Sequence, residues 1–253
     1  MERIDRLLVD QGLAASRTQA QRFISEGRVK VQCGGGWQVV AKPSQKYSQE
    51  IELQVEFDET DRFVSRGGLK LAGALAQTGL DVSGMCVMDV GQSTGGFTDC
   101  VLQAGANRVV GVEVGHDQLV EKLTKDSRVV CLEGMNARSL PVEKVLRHAA
   151  SSDGFDLAVM DVSFISQTKI IPSLVPLLKT GGYFLSLVKP QFEVGQSGLG
   201  KGGIVRDESL YPQVEQSIRK SCADNGLKVK SFFNSPIKGG DGNREFFIFA
   251  EKR

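Results

Sequence analysis

One stretch near the middle of the chain restricts the fold more than any other. An apolar run, Val87 and Met88 with Val90, delivers Asp89 and then Gly91, Gly95 and Gly96 directly into a segment of helical character. A second apolar run, Val109 to Val114, carries an acid of its own, Glu113. Strand, glycine-rich turn, helix and a strand ending in acid is the pattern of a βαβ nucleotide-binding unit. The glycines let the backbone approach a ligand closely, and a carboxylate at the second strand end can accept hydrogen bonds from ribose hydroxyls. Spacing then narrows the ligand. The glycines run G-x-x-x-G-G where a dinucleotide site needs G-x-G-x-x-G, and no lysine follows Gly96 as a phosphate-cradling loop would require. An acid before the first glycine repels a pyrophosphate. It suits a ligand that carries a cation, such as the sulfonium and amino group of S-adenosylmethionine.

A chain of 253 residues holds one large domain, or a large and a small one. Its formal net charge of +1 means that any nucleic-acid-binding surface must be local. Five scattered cysteines without a C-x-x-C and only two histidines, His116 and His148, point to reduced thiols and no metal site. The N-terminus is charged, and no run of about 18 apolar residues occurs. The expectation is a cytoplasmic protein without stable membrane association.

Residues 1–60 read as a separate unit. Ile4, Leu7 and Leu8 form a short apolar helix face, and Ser16 with Gln19 forms a capping-box pattern opening a second helix with Ala20, Phe23 and Ile24 on one side. Gly27 stands where a helix ends, Arg28 to Val31 alternates like a strand, and glycines 34 to 36 turn the chain. Trp37–Val40 and Ile51–Phe57 read as further strands. Arg17, Arg22, Arg28 and Lys30 cluster around the second helix, whereas the charged residues from Glu50 to Asp61 are all acidic. Such arginines beside a helix N-terminus can form a phosphate-binding surface.

Residues 61–83 join this unit to a third segment, 84–253, in which strand and helix patterns alternate. Near-continuous apolar strands between helices predict a parallel sheet covered on both faces. Expected helices include Leu119–Lys122, Pro141–Ala150 and Ile170–Leu178, with a strand at Tyr183–Val188. A long amphipathic helix, Leu210 to Asp224, precedes a final strand pair, and the Gly-rich stretch 195–203 reads as a mobile loop. Four polar residues fall where an open α/β sheet places its reactive edge: Lys70, Asp161, Lys189 and Glu245. Charged residues that end apolar strands are rarely there for packing. Two lysines with two carboxylates suit methylation of a ribose 2′-hydroxyl. That alcohol is a poor nucleophile and needs a base, which a lysine becomes only on losing its proton, and a neighbouring cation favours that loss.

These residues carry a resemblance. SRTQAQRFISEGRVKV is similar to the core of the small RNA-binding domain named after ribosomal small-subunit protein four. Lys-Asp-Lys-Glu in this order resembles the tetrad of FtsJ/RrmJ-like ribose methyltransferases. Taken with SRGGLKL, DVGQSTGGFTD, VGHDQL, MDVSFIS, VKPQFE, KGGIVRDE and SPIKGGDGNREF, the chain is similar throughout to the TlyA (hemolysin A) family, which joins the two. The resemblance implies a Rossmann-like, mostly parallel seven-stranded methyltransferase sheet behind a small α+β domain. It implies 2′-O-methylation of cytidines in ribosomal RNA, free or in subunits, with S-adenosylmethionine as donor. Lys70, Asp161, Lys189 and Glu245 would be catalytic, Lys189 being the preferred base. Asp89, Gly91, Ser93, Gly95, Gly96, Phe97, Glu113, Asn136 and Asp161 would hold the donor, and Arg66 would join the basic residues above on RNA. Gln92 stands where members commonly carry alanine, which sets it beside the donor pocket, to crowd or hydrogen-bond the ligand. A membrane-lytic protein, as the hemolysin label suggests, and a non-catalytic RNA-binding protein are the alternatives. Amino-group methylation is disfavoured because Asp161-Val162-Ser163-Phe164 lacks the paired prolines of such enzymes.

Overall fold

The computed structural model describes residues 1–58, 61–240 and 242–253. Glu59 of the acidic stretch, Thr60 and Asp241 of the SPIKGGDGNREF motif lie outside the described residues. The N-terminal part runs β1 (Glu2–Arg3), α1 (Ile4–Asp10), α2 (Arg17–Ser25), β2 (Val29–Cys33), β3 (Gly36–Val39), β4 (Lys46–Tyr47) and β5 (Leu53–Val55). Ser16 caps α2 by accepting a hydrogen bond from Gln19 N at 3.2 Å, while the Gln19 side chain reaches back to Ala15 N. Gly34 and Gly35, both at positive φ, close a two-residue hairpin between β2 and β3, the left-handed geometry a tight hairpin turn requires. The small sheet is antiparallel in the order β3-β2-β5. Its core gathers Ile4, Leu7 and Leu8 from α1, Phe23 and Ile24 from α2, and Val29 and Val31 from β2.

The remainder runs α3 (Arg66–Thr78), β6 (Cys86–Val90), α4 (Gly96–Gln103), β7 (Arg108–Val112), α5 (Glu121–Thr124), β8 (Val129–Leu132), α6 (Val142–Leu146), β9 (Phe155–Met160), α7 (Ile171–Leu174), β10 (Leu178–Val188), α8 (Tyr211–Asp224), β11 (Leu227–Asn234) and β12 (Phe246–Lys252). Seven strands form one sheet in the order β11-β12-β10-β9-β6-β7-β8. Only β12 runs antiparallel to its neighbours. Successive residues of one strand enter opposite cores. Leu157 and Val159 join the side packed by α3 and α4, and Ala158 and Met160 join the side packed by α8. Apolar residues on both faces therefore give the uninterrupted runs seen in the sequence.

Several boundaries differ from the expected ones. The helix expected over Ile170–Leu178 stops at Leu174, followed by a tight turn at Val175–Leu177. Pro176 cannot donate the amide hydrogen bond that would continue the helix. Strand β10 begins at Leu178, ahead of the expected Tyr183, and crosses Gly181 and Gly182 with a register shift against β9. The other short helices are Glu121–Thr124 and Val142–Leu146. In the 195–203 stretch, Leu199 bridges Val205 and Asn243 accepts from Val205 N, so this loop is tied to the segment before β12.

Candidate active site

The C-terminal ends of β6, β7, β9 and β10 converge with α3 on one edge of the sheet, and each contributes part of the site. After β6 the chain turns through Gly91 at φ 82° and Gly95 at φ 96°. A Cβ on Gly91 would lie 2.4 Å from the Asp161 carbonyl oxygen, and one on Gly95 would lie 2.3 Å from Leu123 Cδ1. Only glycine meets both the backbone angle and the spacing here. Glu113, just past β7, accepts from Ser93 N at 2.9 Å and from Gly115 N at 2.8 Å. Both carboxylate oxygens are thereby oriented, and each keeps a second lone pair for a hydroxyl donor.

Asp89 lies beneath this turn and is fully buried. Its Oδ2 accepts from Thr98 Oγ1 at 2.7 Å, and its Oδ1 has no hydrogen-bond partner among the described residues. Removal from water pushes the carboxyl up to about 7, the Thr98 hydroxyl opposes that rise, and the Asp161 and Glu113 charges add to it. Gln92 borders the same turn. Its side chain is 2% exposed and folds back over β7, where its Nε2 donates to Thr98 Oγ1 at 2.9 Å. The absence of a side chain on Gly111 makes the room, and the amide is therefore held inside the protein.

Two lysine–carboxylate pairs complete the edge. Lys70, in the second turn of α3, places Nζ 2.6 Å from Glu245 Oε2, just ahead of β12. Both residues are buried. Burial pushes the Glu245 carboxyl up while the Lys70 and Lys189 charges pull it back. Lys189, at the end of β10, has Nζ 2.5 Å from Asp161 Oδ1 at the end of β9 and donates to Ser163 Oγ at 3.0 Å. The sequence reading assigned Ser163 no role. Its only signal was position, two residues beyond Asp161.

Three adjoining clefts surround these groups. One of about 500 Å³ is lined by Ser93, Glu113, Met135, Asn136, Val162 and Ile170. A chamber of about 190 Å³ is lined by Lys70, Gly91, Gly96, Phe97, Asp161 and Lys189. A third, of about 440 Å³, has Lys70, Ser163, Phe164, Lys189, Phe192 and Glu245 on its walls. Ser163 borders all three. Phe164 is 91% exposed at φ 65°, a backbone conformation costly for a non-glycine residue, and its ring lies 5.2 Å from that of Phe192.

The expected RNA-contacting residues are engaged in ion pairs. Arg17 reaches Asp5, which is buried and also bound by Arg3 and Gln21. Arg22 and Arg28 both bind Asp61 in the joining segment, and both guanidinium groups lie over the Phe23 ring. Lys30 pairs with Glu56. Arg66 donates to the Lys238 carbonyl at 3.2 Å, tying the start of α3 to the segment before β12.

The seven-stranded sheet with its one reversed strand is the fold of solved methyltransferases. A solved SAM-dependent methyltransferase from Aquifex aeolicus is similar over 78% of this chain and 100% of its own, with TM-score 0.52 at 17% identity. The chain belongs to the FtsJ-like methyltransferase family, which it matches over residues 63–252, and residues 2–50 match the S4 domain. It is 39% identical over 247 residues to the 16S/23S rRNA (cytidine-2′-O)-methyltransferase TlyA of Mycobacterium tuberculosis, spanning 98% of this chain and 88% of that one. A solved Streptococcus thermophilus protein carrying the hemolysin label is 42% identical, with TM-score 0.73 over 99% of this chain and 88% of its own. Among the described residues, no helix is long and apolar enough to cross a membrane.

Proposed function

We propose that this protein transfers a methyl group from S-adenosylmethionine to the 2′-hydroxyl of cytidine in ribosomal RNA. The observation that carries the reading is the meeting of Lys70–Glu245 and Lys189–Asp161 where the small chamber opens into the third cleft. The name of the Mycobacterium tuberculosis relative supports the nucleoside and the RNA class. The 500 Å³ cleft, with Glu113 and Asn136, fits an adenosyl group, and the glycine turn admits close approach of its ligand. When bound, S-adenosylmethionine supplies an electrophilic methyl group.

The protein's own part is positioning and proton handling. Asp161 and Ser163 hold the Lys189 amine at the mouth of the chamber. Lys70, held by Glu245, lines the same chamber and offers a second amine to the acceptor oxygen. Lys189 is the group placed to take the proton of the ribose hydroxyl as the oxygen becomes nucleophilic. With both amines protonated, the two carboxylates balance them. Phe164 presents an exposed ring at the acceptor cleft, a face on which an unstacked base can lie.

The test uses Lys189→Ala, methyl incorporation into ribosomal RNA, and donor calorimetry. Turnover should fall about 10²-fold or more, the scale of losing a positioned base, while donor binding persists. Retention of full activity by the variant would remove Lys189 from the mechanism.

A further inference from the structure

Gln92, Thr98 and Asp89 form a buried chain of three side chains that ordinary packing does not explain. The Gln92 amide occupies the notch left by Gly111, where an added Cβ would come within 2.0 Å of Gln92 Cδ and Oε1. Its Nε2 donates to Thr98, and Thr98 donates to Asp89. The chain terminates in two buried acceptors, Gln92 Oε1 and Asp89 Oδ1, with no hydrogen-bond partner among the described residues. Orphaned buried acceptors are costly, and these two stand at the ends of one hydrogen-bonded chain.

The charged groups that act on Asp89 itself are both acidic. Asp161 faces Asp89 from the end of β9 and Glu113 faces it from the end of β7. Asp99, on α4 with Thr98, is tied to Val64 N and lies 3.6 Å from Lys122. The nearest catalytic cations, Lys70 and Lys189, are already paired with Glu245 and Asp161. No lysine or arginine forms an ion pair with Asp89 among the described residues. Gln92 also borders the 190 Å³ chamber, so the network abuts the space between the glycine turn and the two lysines.

We infer that Gln92 is a positioning residue for a cationic donor: through Thr98 it fixes a buried carboxyl group that has no protein counter-charge, and the charge of the bound ligand compensates it. The inference rests on the reading of S-adenosylmethionine as the donor. It also assigns Gly111 a purpose, because β7 must lack a side chain there for the amide to lie inward. Removing the amide lets the Thr98 hydroxyl turn away and admits water into the notch. Both changes weaken the field of Asp89 at the chamber, because an aqueous dipole screens what a fixed one does not.

The charge on sulfur separates this role from simple packing. S-adenosylmethionine carries a sulfonium and S-adenosylhomocysteine a neutral sulfur, so each variant is titrated with both by calorimetry above about pH 7, where the Asp89 carboxyl has lost its proton. Gln92→Ala and Thr98→Val should weaken S-adenosylmethionine about five- to tenfold, the scale of one lost buried hydrogen bond, and weaken S-adenosylhomocysteine clearly less. Thr98→Ser keeps the hydroxyl and should bind both ligands as the wild type does. Gly111→Ala should lower the melting temperature of the wild type and be tolerated in Gln92→Ala. Equal weakening of both ligands, or of neither, overturns the inference. Failure of the unaltered protein to bind S-adenosylmethionine is a different result and overturns the donor assignment itself.

Discussion

Asp89 ties the stability of the protein to pH in a direction opposite to that of most carboxylates. Its folded value is raised from 3.8 to about 7 by burial. Between these values the folded chain keeps a proton that the unfolded chain has released. The neutral carboxyl's contribution is therefore fully present below about pH 4 and is lost as pH rises towards about 7. Asp89→Asn carries no such proton. Its melting temperature, taken relative to that of the wild type, should climb between about pH 4 and about pH 7 and level off above; parallel profiles would show that Asp89 is already ionised in the folded state. Single residues also show where sequence reading stops. Lys70, Asp161, Lys189 and Glu245 stood out because charges at the margins of apolar runs are conspicuous, and the structure brings all four to one edge. The inward turn of the Gln92 amide was not legible because it depends on a missing side chain at Gly111, on another strand. The arginines of α2 were legible as charge, but their partners were not, since Asp5 and Asp61 are distant in sequence.

Among the elements, the turn from β6 into α4 separates two kinds of glycine requirement. At Gly79, which ends α3 at φ 66°, nothing lies within 4 Å of an added Cβ. Gly79→Ala should cost about 1–2 kcal/mol through backbone strain alone and leave donor affinity intact. Gly95→Ala meets both the unfavourable φ and the Leu123 side chain. It should cost about 2 kcal/mol or more and weaken donor binding as well, which urea unfolding paired with calorimetry can separate. The central strands β6, β7 and β9 were readable because each is apolar on both faces. The short helices were less so: α5, α6 and α7 hold four or five residues apiece, too few for a helical period to declare itself, and Pro176 moves the start of β10.

At the scale of the whole molecule, the small N-terminal unit brings less free positive charge to RNA than its sequence suggests, because Arg17, Arg22, Arg28 and Lys30 are all paired with acids. Removing residues 1–60 should still weaken binding to ribosomal RNA and flatten its dependence on salt, while calorimetry shows donor affinity retained. An unchanged salt slope would assign the phosphate contacts to the catalytic unit alone. Within that unit, the three clefts are not separate rooms. Ser163 borders all of them, Asp161 borders the two assigned to the donor, and Lys70 and Lys189 border both the chamber and the acceptor cleft. If the clefts take donor and RNA as proposed, an occupant of one space presses on residues that shape the next, and the two affinities should be linked, which calorimetry of the donor with and without RNA checks. Linkage has no direction: by whatever factor a bound donor alters the grip on RNA, bound RNA alters the grip on the donor by the same factor.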